Sequence, residues 1–138
     1  MNKKISYKSD QLFVEDVAVN EITKSLRTPF YVYSRSIIKD NFDQFQRSFE
    51  GLNGIVCYSV KANSNLSVLE TIAELGGGAD VVSLGEYRRA LRAGIDPAKI
   101  VFSGVGKQDF EIAEMLKSSL LQFNVESLPE LETINKIA

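Results

Sequence analysis

Ile55-Val56-Cys57-Tyr58-Ser59-Val60, running into Lys61-Ala62-Asn63, is the stretch on which the fold turns. A short apolar run rich in β-branched and aromatic residues, giving way to polar ones, has the form of a buried strand. It is followed by Leu66, Leu69, Ile72 and Ala73 at helical spacing, a stripe that Gly76 stops. The pattern then repeats. Ala79 to Ser83 reads as a strand, and Leu84, Tyr87 and Leu91 mark a helix that ends at Gly94. Ile100 to Ser103 is a strand, Phe110 to Leu116 a helix, and Leu121 to Val125 a strand. The last helix opens on Ser127 and Glu130 in capping-box positions, with Leu131, Ile134 and Ala138 on one face.

Working backwards, residues 36–49 form an amphipathic helix through Ile37 or Ile38, Phe42, Phe45 and Phe49, and Phe30-Tyr31-Val32-Tyr33 reads as a buried strand. A short helix precedes it, ending before Thr28-Pro29. Ile5 to Val19 carries two β-like runs around Lys8-Ser9-Asp10, which predicts a hairpin. The fold class is therefore α/β. Strands alternating with helices give βαβ units and a parallel sheet, and right-handed crossovers leave a barrel or a doubly wound sheet as the candidates. The final helix has a start signal and no stop signal, and four strand–helix units leave an open sheet edge. A chain that continues beyond Ala138 is the expectation.

Composition narrows the chemistry. Sixteen basic against eighteen acidic residues give a net charge of −2, which argues against nucleic acid or an anionic membrane as the main partner. No apolar run approaches the roughly 20 residues that span a bilayer. The polar, lysine-rich Met1 to Ser9 lacks the apolar core of a secretory signal. Cys57 is the single cysteine, which rules out an internal disulfide and fits a reducing, cytoplasmic setting. With no histidine, neither Ser-His-Asp nor Cys-His catalysis can be assembled, and no metal site is expected. Lysine, carboxylates, hydroxyls or a cofactor remain.

Lys61 stands out because it lies at the C-terminal end of its strand, where parallel α/β folds place their active sites. Alternation along the strand puts it on one face with Ser59, Cys57 and Ile55. A lysine turned into such a site loses part of its hydration, which frees the amine for Schiff-base formation. The small Ser59 would leave room for a planar ring. Position alone leaves a solvated strand-end lysine as the commoner case.

The surrounding blocks decide between the two. Tyr58-Ser59-Val60-Lys61-Ala62-Asn63, with Val68, Leu69, Ile72 and Gly76 behind it, resembles the pyridoxal-phosphate site of the ornithine/diaminopimelate/arginine decarboxylase family. Ser59 is a departure, since alanine or proline is usual there. Gly78 to Glu86, Lys99 to Lys107 and Phe123 to Ser127 match successive family blocks, and with Thr28 to Tyr33 they look most like the diaminopimelate branch. The resemblance covers nearly the whole chain.

The resemblance implies a fold made of the first half of a TIM-type (β/α)8 barrel. The hairpin that precedes it belongs in the family to a separate β domain, so residues 1–28 and 29–138 are expected to be distinct units. It implies a pyridoxal 5'-phosphate enzyme that removes carbon dioxide from a small amino acid, meso-diaminopimelate yielding lysine, and a homodimer. Lys61 would carry the cofactor, and Asp80 matches an acidic residue near that lysine. An aspartate inside an apolar strand also needs a cationic partner if buried. Glu86 matches another acidic position, although Ser83 and Glu86 have capping-box spacing, the preferred reading. Gly76-Gly77-Gly78 ends a helix, whereas Ser103-Gly104-Val105-Gly106 follows a strand and lines the active rim. Cys57 is a small buried hydrophobe, distinct from the family's substrate-side cysteine, and Arg88, Arg89 and Arg92 form a solvated helix face. The family's ring-stacking histidine, glycine-rich phosphate loop, pyridine-nitrogen glutamate and substrate contacts have no matching positions. The chain alone is thus expected to be inactive. Two alternatives stay open: another enzyme of the same barrel family (ornithine or arginine decarboxylase, alanine racemase or a small pyridoxal-binding protein), and a non-catalytic product of a split or decayed gene.

Overall fold

The computed structural model describes residues 4–138; residues 1–3, which begin both the Met1 to Ser9 stretch and the expected 1–28 unit, lie outside the described residues. Near the N-terminus, β1 (Ile5–Lys8) pairs antiparallel with β2 (Gln11–Val14), and Lys8 faces Gln11 across a two-residue turn. Ser9 and Asp10 both take positive φ, the geometry that matches the right-handed twist of a hairpin. The hairpin is extended by a third short strand, β3 (Val17–Ala18), because Glu15, also at positive φ, turns the chain back on β2. A single helical turn, α1 (Val19–Ile22), follows.

The expected strand at 30–33 is absent. The segment has no regular structure and pairs with no strand, and Tyr31 is 90% exposed. An apolar run becomes a strand only where a neighbour takes its hydrogen bonds, and among the described residues no strand lies beside it. The next helix, α2 (Arg35–Arg47), forms as expected. Ser34 caps it by accepting from the Ile37 N–H, and Phe42 is its buried residue. Phe45 and Phe49 remain exposed and lean on each other, ring centroids 5.2 Å apart.

Four parallel strands then alternate with helices: β4 (Cys57–Ser59), α3 (Leu66–Glu74), β5 (Gly78–Val81), α4 (Leu84–Arg92), β6 (Ile100–Phe102), α5 (Asp109–Leu116), β7 (Gln122–Phe123) and α6 (Leu128–Ile137). Their spatial order is their sequence order, all parallel. Sequential parallel strands, each followed by a helix, are the repeat of a TIM-type barrel, and four of them make half of its eight. β4 and β7 are the free edges.

One face of this sheet carries the core. Ala79, Val81, Ile100 and Phe102 pack under Leu69, Leu84, Tyr87, Ala90 and Met115 from the helices. Each large buried side chain contributes about 1.5–3 kcal/mol. The glycine run leading into β5 serves three needs. Gly76, at φ +76°, ends α3 in the left-handed conformation. A Cβ on Gly77 would press on the Phe42 ring, and one on Gly78 would collide with the Lys99 carbonyl. No helix among the described residues is long and apolar enough to cross a membrane.

Candidate functional site

Register fixes which side chains share the other face. Ser59 pairs with Asp80, Asp80 with Val101 and Val101 with Gln122, so these line the surface away from the helices, together with Cys57 and Gly78 two residues earlier. Apart from Val101, these residues are small or polar where the helix face is apolar.

Lys61 lies just past the C-terminal end of β4, within a 3₁₀ turn over Val60–Ala62. The turn breaks the expected alternation. Val60 is completely buried and anchors the chain in the core, while Lys61 next to it is exposed. Among the described residues its amine makes neither a hydrogen bond nor an ion pair. The backbone that follows is tied down from three sides. The Tyr58 hydroxyl donates to the Asn63 carbonyl at 3.3 Å, the Arg89 Nε donates to the Ser64 carbonyl at 2.9 Å, and the Asn65 N–H donates to the Asn63 side chain at 3.0 Å. Burial, then the neighbouring Tyr33, raises the Tyr58 hydroxyl above its usual range against the opposing hydrogen bond to Asn63, so it stays protonated and able to donate. Arg89 is therefore a tether for the turn carrying Lys61, not only part of a solvated face, and Arg88 pairs with Glu114.

Asp80 has no cationic partner among the described residues, contrary to expectation. The Ser59 hydroxyl donates to its Oδ2 at 2.8 Å, while its Oδ1 is buried without a partner among them. A buried acceptor left unpaired is costly and marks a place where a donor belongs. Burial, then the Asp80 charge, pushes the Cys57 thiol upward, which keeps it protonated and unreactive.

Glu86 does cap α4, with a shift of one residue. Ser83 accepts from the Glu86 N–H at 3.2 Å, and the Glu86 carboxylate accepts from the Val82 N–H at 2.9 Å. The adjacent Leu84 N–H donates to Glu111 of α5 at 2.9 Å. The start of α4 is thus occupied by the protein's own carboxylates. In the rim loop after β6, Gly104 takes φ +87° beside Val82, and Ser103 accepts from the Asn124 side chain at 2.9 Å.

Sequence reasoning missed Lys107. Its side chain is 1% exposed, and its amine donates to the Gly104 carbonyl at 2.7 Å, the Asn124 carbonyl at 2.9 Å and the Glu130 carboxylate at 2.5 Å. It locks the rim loop after β6 to the start of α6. The Glu130 spacing was read as local capping; its partner 23 residues earlier carries no local signal. A cleft of about 730 Å³ lies at the end of the strands opposite Lys61, beside Phe42, Ile55, Gly77 and Lys99.

The described residues form the α/β half of a barrel, with Lys61 leaving the C-terminal end of one strand and Asp80 on the next. The chain belongs to the family described as pyridoxal-dependent decarboxylase, pyridoxal binding domain, whose model matches residues 35–138. It is 53% identical to a diaminopimelate decarboxylase of Helicobacter pylori over 118 residues, 86% of this chain and 29% of that protein. A crystal structure of an Aquifex aeolicus protein superposes with a TM-score of 0.92 at 42% identity, covering 99% of this chain and 34% of the other. The crystal structure of diaminopimelate decarboxylase from Helicobacter pylori complexed with L-lysine superposes with a TM-score of 0.83 at 50% identity, covering 86% and 30%. The chain spans about a third of the length of the relatives it matches.

Proposed function

We propose that this chain supplies the cofactor-lysine half of a pyridoxal-phosphate-dependent amino-acid decarboxylase acting on meso-diaminopimelate. Lys61 is the catalytic residue, and Asp80 helps hold the cofactor. The observation that carries the reading is Lys61 leaving the C-terminal end of β4, next to the strand on which Asp80 keeps a buried oxygen free. The residues fit the group. Ser59 presents only a small side chain beside Asp80 on the inner face, and the orphaned carboxylate oxygen matches a protonated nitrogen. The relatives named diaminopimelate decarboxylase support the substrate.

In the reaction the bond between Cα and its carboxylate breaks, carbon dioxide leaves, and a proton takes up the electron pair left on Cα. Pyridoxal phosphate, when bound, supplies the electron sink. The chain's own part is positional. Val60 fixes the turn in the core, Tyr58 and Arg89 hold the backbone after it, and the Lys61 amine is left free to exchange its partner. Asp80 keeps a positive charge close to the strand end. The Lys107 clamp holds the rim loop in one shape.

The division into residues 1–28 and 29–138, a cytoplasmic setting and a homodimer are parts of the same proposal. The free Cys57 supports the setting, and the family resemblance the dimer. Absorbance spectroscopy of the purified chain with pyridoxal phosphate tests the cofactor reading: a visible band that disappears in Lys61→Ala is expected, and a band unchanged in that variant contradicts it. The 138 residues alone are expected to release no labelled carbon dioxide from carboxyl-labelled diaminopimelate, and release would contradict that.

A further inference from the structure

We propose that Ser59 is a positioning residue: its hydroxyl orients the Asp80 carboxylate so that one oxygen stays available to a positively charged group held at Lys61. The inference rests on the cofactor reading above and adds a residue to it. Ser59 and Asp80 are register partners on β4 and β5, and the Ser59 Oγ donates to Asp80 Oδ2 at 2.8 Å. That bond selects one of the two carboxylate oxygens. The other, Oδ1, is buried and has no partner among the described residues.

A carboxylate on a strand can rotate about its terminal torsion, which is broad and two-fold. Without a restraint, Asp80 would turn its free oxygen toward whatever donor lay nearest. A neutral hydroxyl restrains it without neutralising its charge, whereas a lysine or arginine in place of Ser59 would consume that charge. Ser59 is also two positions before Lys61 on the strand that leads into the lysine turn. One side chain therefore couples the orientation of the carboxylate to the strand that presents the amine.

The test compares Ser59→Ala with Ser59→Thr, which restores the hydroxyl on a strand-compatible side chain. The full chain is loaded with pyridoxal phosphate, and its visible absorbance is titrated against pH. A well-aimed carboxylate favours the protonated form of the lysine–cofactor linkage, so the midpoint should fall by about one pH unit in Ser59→Ala, roughly a tenfold effect, and return in Ser59→Thr. The unloaded protein gives a second readout. The Asp80 carboxyl carbon resonance should move in Ser59→Ala and return in Ser59→Thr. An unchanged midpoint or an unchanged resonance in Ser59→Ala overturns the inference, and so does a change that Ser59→Thr fails to reverse. If the wild-type chain forms no linkage at Lys61, the cofactor reading falls and this inference falls with it. If the linkage forms and Ser59→Ala titrates like wild type, only the inference fails.

Discussion

The two faces of the β4–β7 sheet differ in composition and in what they do. Toward the helices stand Ala79, Val81, Ile100 and Phe102, all with no measurable exposure. On the other face stand Cys57, Ser59, Gly78, Asp80, Val101 and Gln122. A period of two assigns alternate residues of the same short strands to opposite tasks. Packing holds one face together, and the other leaves a carboxylate oxygen unpaired. Packing and the proposed chemistry are thus separated by one residue step.

That separation can be broken from the helix side first. Phe102→Ala removes a fully buried ring that also meets Phe123 edge-on, centroids 5.6 Å apart, and should cost about 4 kcal/mol in urea unfolding. A loss below about 1 kcal/mol would mean that this face is not the core.

The rim gives the next largest effect. Lys107→Met leaves Glu130, itself 12% exposed, without its cation and should cost about 3 kcal/mol. It should also loosen the rim loop, seen as faster amide exchange at Val105 and Gly106. Unchanged exchange there would show that the clamp does not set the loop.

The antiparallel sheet offers a smaller, pH-dependent test that lies away from both faces. Glu15 accepts from the Ser34 hydroxyl at 2.6 Å and from the Ser36 N–H and hydroxyl, both at 2.8 Å, tying the sheet to the start of α2. These bonds lower its pKa from 4.5 to about 2, with Ser34 the largest cause. A folded-state pKa below the unfolded one means that the contribution is complete above about pH 4.5. It is lost as pH falls through about 2. Stability measured across that window should depend less steeply on pH in Glu15→Gln. Equal slopes would remove the staple.

The smallest effect on stability is expected at the residue most important to the proposed chemistry. Lys61 is exposed, and Lys61→Ala should change unfolding free energy by no more than about 0.5 kcal/mol. A large loss would place Lys61 in the fold rather than in the site.

Most of the sheet was legible because its signals are local. Apolar runs, helical stripes and the glycines at 76 and 94 mark strands and helices within a few residues of themselves. The segment 30–33 failed for the opposite reason: its pattern is right, but pairing depends on a neighbour that local sequence does not specify. The site divides in the same way. Asp80 could be placed on its strand, and Lys61 near a strand's C-terminal end, from period and block resemblance. The 3₁₀ turn that exposes Lys61, the Ser59 bond to Asp80 and the Lys107 clamp could not, since each depends on contacts between residues far apart in sequence. Glu86 lies between these cases, its capping spacing readable and its shift to Val82 not.

Borohydride reduction of the chain mixed with pyridoxal phosphate, followed by peptide mapping, asks most directly whether Lys61 is the cofactor lysine. The account predicts the reduced pyridoxyl group on the peptide containing Lys61, with Lys107 unlabelled because its amine is buried and fully bonded. Labelling spread over surface lysines without preference for Lys61, or an unlabelled Lys61 peptide, would contradict it.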